Sequence, residues 1–155
     1  MTTQDYLKSI KIDSTCGTCW MQLGYLLSKR SEGISKSIIA LEKALELGID
    51  LDFDGKLEPN FFIYDRLAGI EYERSDYRSA LGYLQRLIDN YNDYDSDGDG
   101  INEDNDYLPL AYYNSAKIYY ENLDEIELAI FNLNKAIQIN PNGANSYYTL
   151  RAKIK

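Results

Sequence analysis

The sequence predicts an all-α fold built as a stack of helical hairpins. Two amphipathic helical stretches separated by a short polar turn occur three times along the 155 residues. Small residues (Gly24, Ala68, Ala116, Ala80 and Ala129) recur where the paired helices would cross closely. Two acidic stretches lie between successive units.

Taken in order, residues 1–14 read as one helix, from Tyr6 to Asp13, equivalent to the second helix of an earlier unit. Residues 17–47 form the first full unit, with Trp20, Leu23 and Gly24 in its first helix and SIIALEKALEL, ending at Leu47, in its second. An insertion spans 48–60. The second unit, 61–91, repeats the pattern with Tyr64, Leu67 and Ala68, then Tyr77, Ala80, Leu84 and Leu87. A second insertion spans 92–107. The third unit, 108–141, has Tyr112, Ser115, Ala116 and Tyr119, then LAIFNLNKAIQINP ending at Pro141. Residues 143–155 read as a terminal helix, with Tyr147 and Leu150 at the positions of Trp20 and Leu23. Half a unit, three units and half a unit suit an excerpt of a longer array, and a final solvating helix would read the same way.

This pattern resembles the tetratricopeptide repeat, on Trp20, Leu23, Gly24, Ala44 and Leu45, on Tyr77 and Ala80, and on Ala129, Ala136 and Pro141. The turns of the first and third units are each one residue longer than that pattern. The resemblance implies a right-handed α-α superhelix, a solenoid of about three repeats flanked by half repeats. It also implies a non-enzymatic protein-protein interaction scaffold whose concave groove holds a protein or peptide. The groove-facing positions carry over to Met21, Tyr25, Lys29, Asp65, Tyr72, Tyr113, Lys117, Tyr120 and Tyr148. Tyrosine dominates this set, and it supplies contact area and a polar tip at modest entropic cost. The competing reading is that several of the 15 tyrosines pack between helices. The Lys and Asn clamp of chaperone-binding members is matched only by Asn114 and Lys117, which argues against a chaperone tail.

Members of that family repeat every ~34 residues. Here Trp20 and Tyr64 stand 44 apart, and Tyr64 and Tyr112 stand 48 apart. The insertions contain DLDFDG, from Asp50, and DSDGDG, from Asp95. Alternating carboxylates repel one another unless a cation sits among them. Calcium takes six to eight oxygen ligands, which loops of the EF-hand type supply from positions 1, 3, 5, 7, 9 and 12 around a glycine at position 6. In the second loop these are Asp95, Asp97, Asp99, the Ile101 carbonyl, Glu103 and Asp106, with Gly100 at the turn. A frame starting at Asp93 is the alternative, but it puts Ile101 at the ninth position. The first loop offers Asp50, Asp52, Asp54, the Lys56 carbonyl and Glu58, with Phe61 at the twelfth position. That site is expected to be weaker, or completed by water or by Asp65. The second loop also resembles the calcium loops of thrombospondin type 3 repeats and dockerins. Calcium, up to two ions, is therefore the expected cofactor, ahead of magnesium, which prefers a tighter octahedron. Its expected role is to stiffen the junctions, because ten or more loose residues weaken the register between repeats. Plain solvated acidic turns are the competing reading.

The net charge of −9 is local: −3 lies in 50–58 and −7 in 93–106, which leaves +1 for the remainder. No basic stripe suited to nucleic acid is present. No apolar run approaches the ~20 residues that cross a bilayer, and the start lacks the apolar core of a signal peptide. A cytoplasmic location is expected if Met1 is the true start, and an exported one if an upstream leader has been removed. The chain has no histidine, which excludes Ser-His-Asp and Cys-His nucleophile systems, and it has no phosphate loop or nucleophile elbow. No enzyme is expected. Cys16 and Cys19 form a CxxC in a turn entering a helix, read as structural, with a redox or disulfide pair as the alternative. Calcium-dependent self-association, as in a cell-surface or matrix module, is the alternative function, and a thiol-redox role is the third.

Overall fold

The computed structural model describes residues 1–30, 33–49, 60–94, 107–141 and 145–154, with the backbone alone for 92–94. The described residues are all-helical: α1 (Thr3–Ile12), α2 (Gly17–Ser28), α3 (Ile34–Leu47), α4 (Phe61–Glu73), α5 (Tyr77–Tyr94), α6 (Tyr107–Glu121), α7 (Ile126–Ile139) and α8 (Asn145–Ile154). The expected calcium ligands Asp50, Asp52, Asp54, Lys56 and Glu58, and Asp95, Asp97, Asp99, Ile101, Glu103 and Asp106, lie outside the described residues.

Local chemistry accounts for where the helices start and stop. Thr2 and Asp5 make a reciprocal capping box at the start of α1. Asp76 accepts the Ser79 amide and hydroxyl at 3.1 and 2.9 Å, satisfying the first turn of α5. At the end of α4, Ser75 takes a left-handed φ of 61°. Its amide donates to the Tyr72 carbonyl and that of Asp76 to the Glu71 carbonyl, each at 2.9 Å. This is the Schellman arrangement, here without the usual glycine. Gly48, with φ 76°, ends α3.

The edges of both expected insertions differ from the sequence reading, and α6 begins at Tyr107, inside the second. α5 continues to Tyr94, into the stretch expected as an insertion, and Tyr91 at its end lays its ring 5.1 Å from that of Phe61. Ile49, at the start of the first expected insertion, is buried with Leu41, Ala44, Ile63 and Leu67. That insertion is therefore anchored in the core at its entry.

Helices neighbouring in sequence pack most extensively: α2 on α3, α4 on α5, and α6 on α7. Four apolar clusters follow one another along the chain. Ile10, Leu23 and Ala40 join α1, α2 and α3. Met21, Leu41 and Leu67 belong to a cluster of α2, α3 and α4. Phe61, Leu84 and Ala111 belong to one of α4, α5 and α6, and Ala116, Leu133 and Leu150 to one of α6, α7 and α8. Each fully buried leucine contributes ~1.5–3 kcal/mol relative to exposure. Gly24, Ala68, Ala80, Ala116 and Ala129 are all buried. Across α2 and α3 the Ser37 hydroxyl donates to the Gly24 carbonyl at 2.7 Å, so the two backbones are close. Between hairpins, the Tyr83 hydroxyl of α5 donates to Glu42 of α3 at 2.8 Å. Partial burial, and then this bond, push the Tyr83 phenol up to about 12.

Two glycine substitutions measure these contacts. A Cβ at Gly24 would lie 2.7 Å from the Leu41 side chain and 3.2 Å from its backbone nitrogen. Gly24→Ala is expected to cost ~1–3 kcal/mol through overpacking. A Cβ at Gly82, exposed on α5, meets nothing within 4 Å. Gly82→Ala is expected to add ~0.5–1 kcal/mol through backbone entropy. Urea denaturation of both variants checks the pair.

Candidate functional site

A cavity of about 410 Å³ opens between α4 and α6. Asp65, Gly69 and Tyr72 line it from α4, and Leu110, Asn114 and Lys117 face them from α6. Each trio follows three- and four-residue spacing, which puts its members on one helix face. Arg66, Ala68, Leu84 and Ile118 complete the wall. Gly69 matters by what it lacks: a Cβ there would meet nothing within 4 Å, so the missing side chain leaves the groove open.

The walls are chemically mixed. Asp65 is half-buried and has no hydrogen bond or ion pair among the described residues. Loss of hydration raises its carboxyl above the ordinary value, and the Arg66 charge offsets part of this. The Tyr107 phenol is raised as well, first by burial and then by the Asp65 charge. Lys117 reaches over the Tyr72 ring at 5.6 Å and lies 3.9 Å from Glu121. Tyr72 meets the edge of Tyr77 at 5.7 Å. The groove can thus offer an aromatic ring, two cations (Arg66 and Lys117) and amide or carboxylate acceptors to a chain laid along it.

Asp65, Tyr72 and Lys117 are the three expected groove residues that share this cavity. Tyr25 and Lys29 form a second patch with Phe62 and Arg66 of α4. Lys29 Nζ stands 4.3 Å and the Arg66 guanidinium 5.0 Å from the Tyr25 ring centre, and Phe62 packs at 5.8 Å. The Lys29 hydrogen bond, and then its charge, lower the Tyr25 phenol from its ordinary value. The other four expected residues lie outside this cavity and this patch. Met21 is 5% exposed inside the α2–α4 cluster, because α2 presents that face to Leu41 and Leu67, so it offers no surface to a groove. Tyr113 stacks 4.9 Å from Tyr147, and Tyr120 donates to the Lys153 carbonyl at 3.3 Å. Tyr148 donates to the Pro141 carbonyl at 2.7 Å. These three tie α8 to the preceding elements.

Arg66, Phe62 and Leu110 were not expected in the site. Arg66 bridges both patches, and only its adjacency to Asp65 hints at this in the sequence. Among the described residues no group of three or more cysteine, aspartate or glutamate side chains is placed to hold a metal ion. No described helix is long and apolar enough to cross a membrane. No family model and no curated protein matches the chain.

The strained carboxyl gives a pH test. With its folded value raised above the unfolded one, Asp65 favours the folded state most when protonated, and that contribution is lost as pH rises through the folded value. Asp65→Asn is therefore expected to raise the melting temperature at pH 7, with the gain shrinking toward pH 4. Thermal unfolding of both proteins at the two pH values checks it.

Proposed function

We propose that this chain is a non-enzymatic protein-interaction scaffold of tetratricopeptide-repeat type. Its hairpins stack as a right-handed solenoid and hold an extended segment of a partner protein in the groove between α4 and α6. The observation that carries this reading is the convergence of Asp65, Tyr72 and Lys117 on one cavity between the first helices of two successive hairpins. The four clusters, each shared by three consecutive helices, support it, because a repeat stack buries its core only between neighbours. An unpartnered, half-buried carboxyl inside the groove also supports it, since such groups are kept at a stability cost where a ligand uses them.

The acidic segments belong to the same proposal. The loops beginning at Asp50 and Asp95 hold calcium and stiffen the junctions that flank α4 and α5. They are scaffold elements rather than sensors, because the adjoining helices are committed to the shared clusters.

Two measurements test these halves separately. A displayed peptide library selected on the wild-type protein is counter-screened with Gly69→Leu, which fills the groove where nothing stands within 4 Å. Peptides that bind the wild type and lose at least ~10-fold in affinity, or about 1.4 kcal/mol, on the variant are expected; equal binding to both places the interaction elsewhere. Calorimetric titration of chelator-stripped protein with calcium is expected to show two unequal events, lost in turn on Asp50→Ala and Asp95→Ala, with a higher melting temperature in calcium. Absence of heat up to millimolar calcium would leave two acidic spacers. Sedimentation with and without calcium separates stiffening from assembly between copies.

A further inference from the structure

We infer that Cys16 and Cys19 form a reversible thiol–disulfide exchange site, in which Cys16 is the attacking thiolate and the co-reactant is a glutathione-type thiol or disulfide. The inference is independent of the groove. In the structure the two cysteines are joined by a disulfide. They are separated by three positions, so the bond closes a very short loop, the case in which a disulfide removes least freedom from the unfolded chain. The first turn of α2 already holds the two residues together: the Cys19 amide donates to Cys16 Sγ at 3.2 Å, and the Trp20 amide donates to the Cys16 carbonyl at 3.2 Å. As a staple the bond therefore adds little, and its chemistry is what remains to be explained.

Four observations suit exchange. Cys16 is the N-cap of the twelve-residue α2, where its sulfur accepts an amide and faces the positive end of the helix dipole. That environment favours a thiolate. The first turn of α2 contains no acidic residue. The nearest preceding carboxylate, Asp13, is engaged by the Thr15 amide and hydroxyl at 2.9 and 2.6 Å, and Lys11 stands in the last turn of α1. Both cysteines are half-buried, so a small thiol can reach them. The platform is also held by contacts other than the bond. Gly17 is buried against the Gly48 carbonyl, where no side chain fits, and the Trp20 indole N–H donates to the Ser14 carbonyl at 3.1 Å.

The exchange balances as follows. In the reduced protein, the Cys16 thiolate attacks one sulfur of RSSR; a Cys16–SR bond forms, the RS–SR bond breaks, and RS⁻ leaves and takes a proton from solvent. Cys19 then loses its proton and attacks Cys16 Sγ, forming the Cys16–Cys19 bond and expelling the second RS⁻. Two protein thiols are oxidised and one RSSR becomes two RSH. Reduction is the reverse, with two thiols as the reductant.

The test uses the full chain and two single variants. Serine caps a helix well, so Cys16→Ser keeps the start of α2, and Cys19→Ser leaves Cys16 as the cap. At pH 7, iodoacetamide is expected to modify Cys16 in Cys19→Ser ~10-fold faster than Cys19 in Cys16→Ser, from its larger thiolate fraction. Oxidised glutathione is expected to leave a stable mixed disulfide on Cys16 in Cys19→Ser, seen by mass spectrometry, and to restore the intramolecular bond in the reduced wild type. Equal alkylation rates, a mixed disulfide confined to Cys19, or a wild-type disulfide that millimolar glutathione neither reduces nor re-forms would each overturn the inference. Circular dichroism of each variant confirms that the helices persist.

Discussion

Each of α2, α4 and α6 has to be buried on two faces at once, and the rest of the structure depends on that constraint. In α4, Ile63, Leu67 and Ile70 face the cluster shared with α2 and α3, while Phe61 and Ala68 face the one shared with α5 and α6. In α6, Leu108, Ala111 and Ile118 belong to one cluster and Ala116 to the next. In α2, Leu23 and Met21 divide in the same way. Such helices cannot carry one broad apolar stripe and one polar face. They need small residues where backbones approach, which is why Gly24 and the buried alanines stand where they do.

Two committed faces leave a narrow third one. On α4 that face is Asp65, Gly69 and Tyr72, and on α6 it is Leu110, Asn114 and Lys117. Of these residues Tyr72 also packs against the cluster of α4, α5 and α6, whereas Asp65, Asn114 and Lys117 present polar groups to the cavity. Asp65 shows the tension: its helix position is fixed by the two flanking cores, and its carboxyl sits where hydration is poor and the Arg66 charge offsets only part of the loss. The groove is thus a by-product of how the helices share their burial.

Much of the helical layout was legible in the sequence, because three- and four-residue spacing and the recurrence of aromatic, leucine and small residues are local signals. The lining of the cavity between α4 and α6 was legible only where a residue's direction follows from its own helix. Asp65, Tyr72 and Lys117 are of this kind. Met21 is not, since whether it meets solvent or Leu41 depends on how the next hairpin leans on α2. The same holds for Arg66, whose guanidinium reaches Tyr25 on another hairpin. Tyr113, Tyr120 and Tyr148 each touch a neighbouring element, and those contacts depend on how α8 packs. The extension of α5 to Tyr94 was hidden because the acidic composition of that stretch masks a helix that Tyr91 anchors on Phe61.

Trp20 is the only tryptophan in a chain with 15 tyrosines, and it sits at the contact of α1 and α2, its indole bonded to the Ser14 carbonyl. The molecule is therefore optically lopsided. Indole fluorescence reports one end, whereas the tyrosines run from Tyr6 in α1 to Tyr148 in α8. One signal thus watches a single end and the other the whole chain, and the coincidence or separation of their unfolding curves measures how far cooperativity travels through the shared cores.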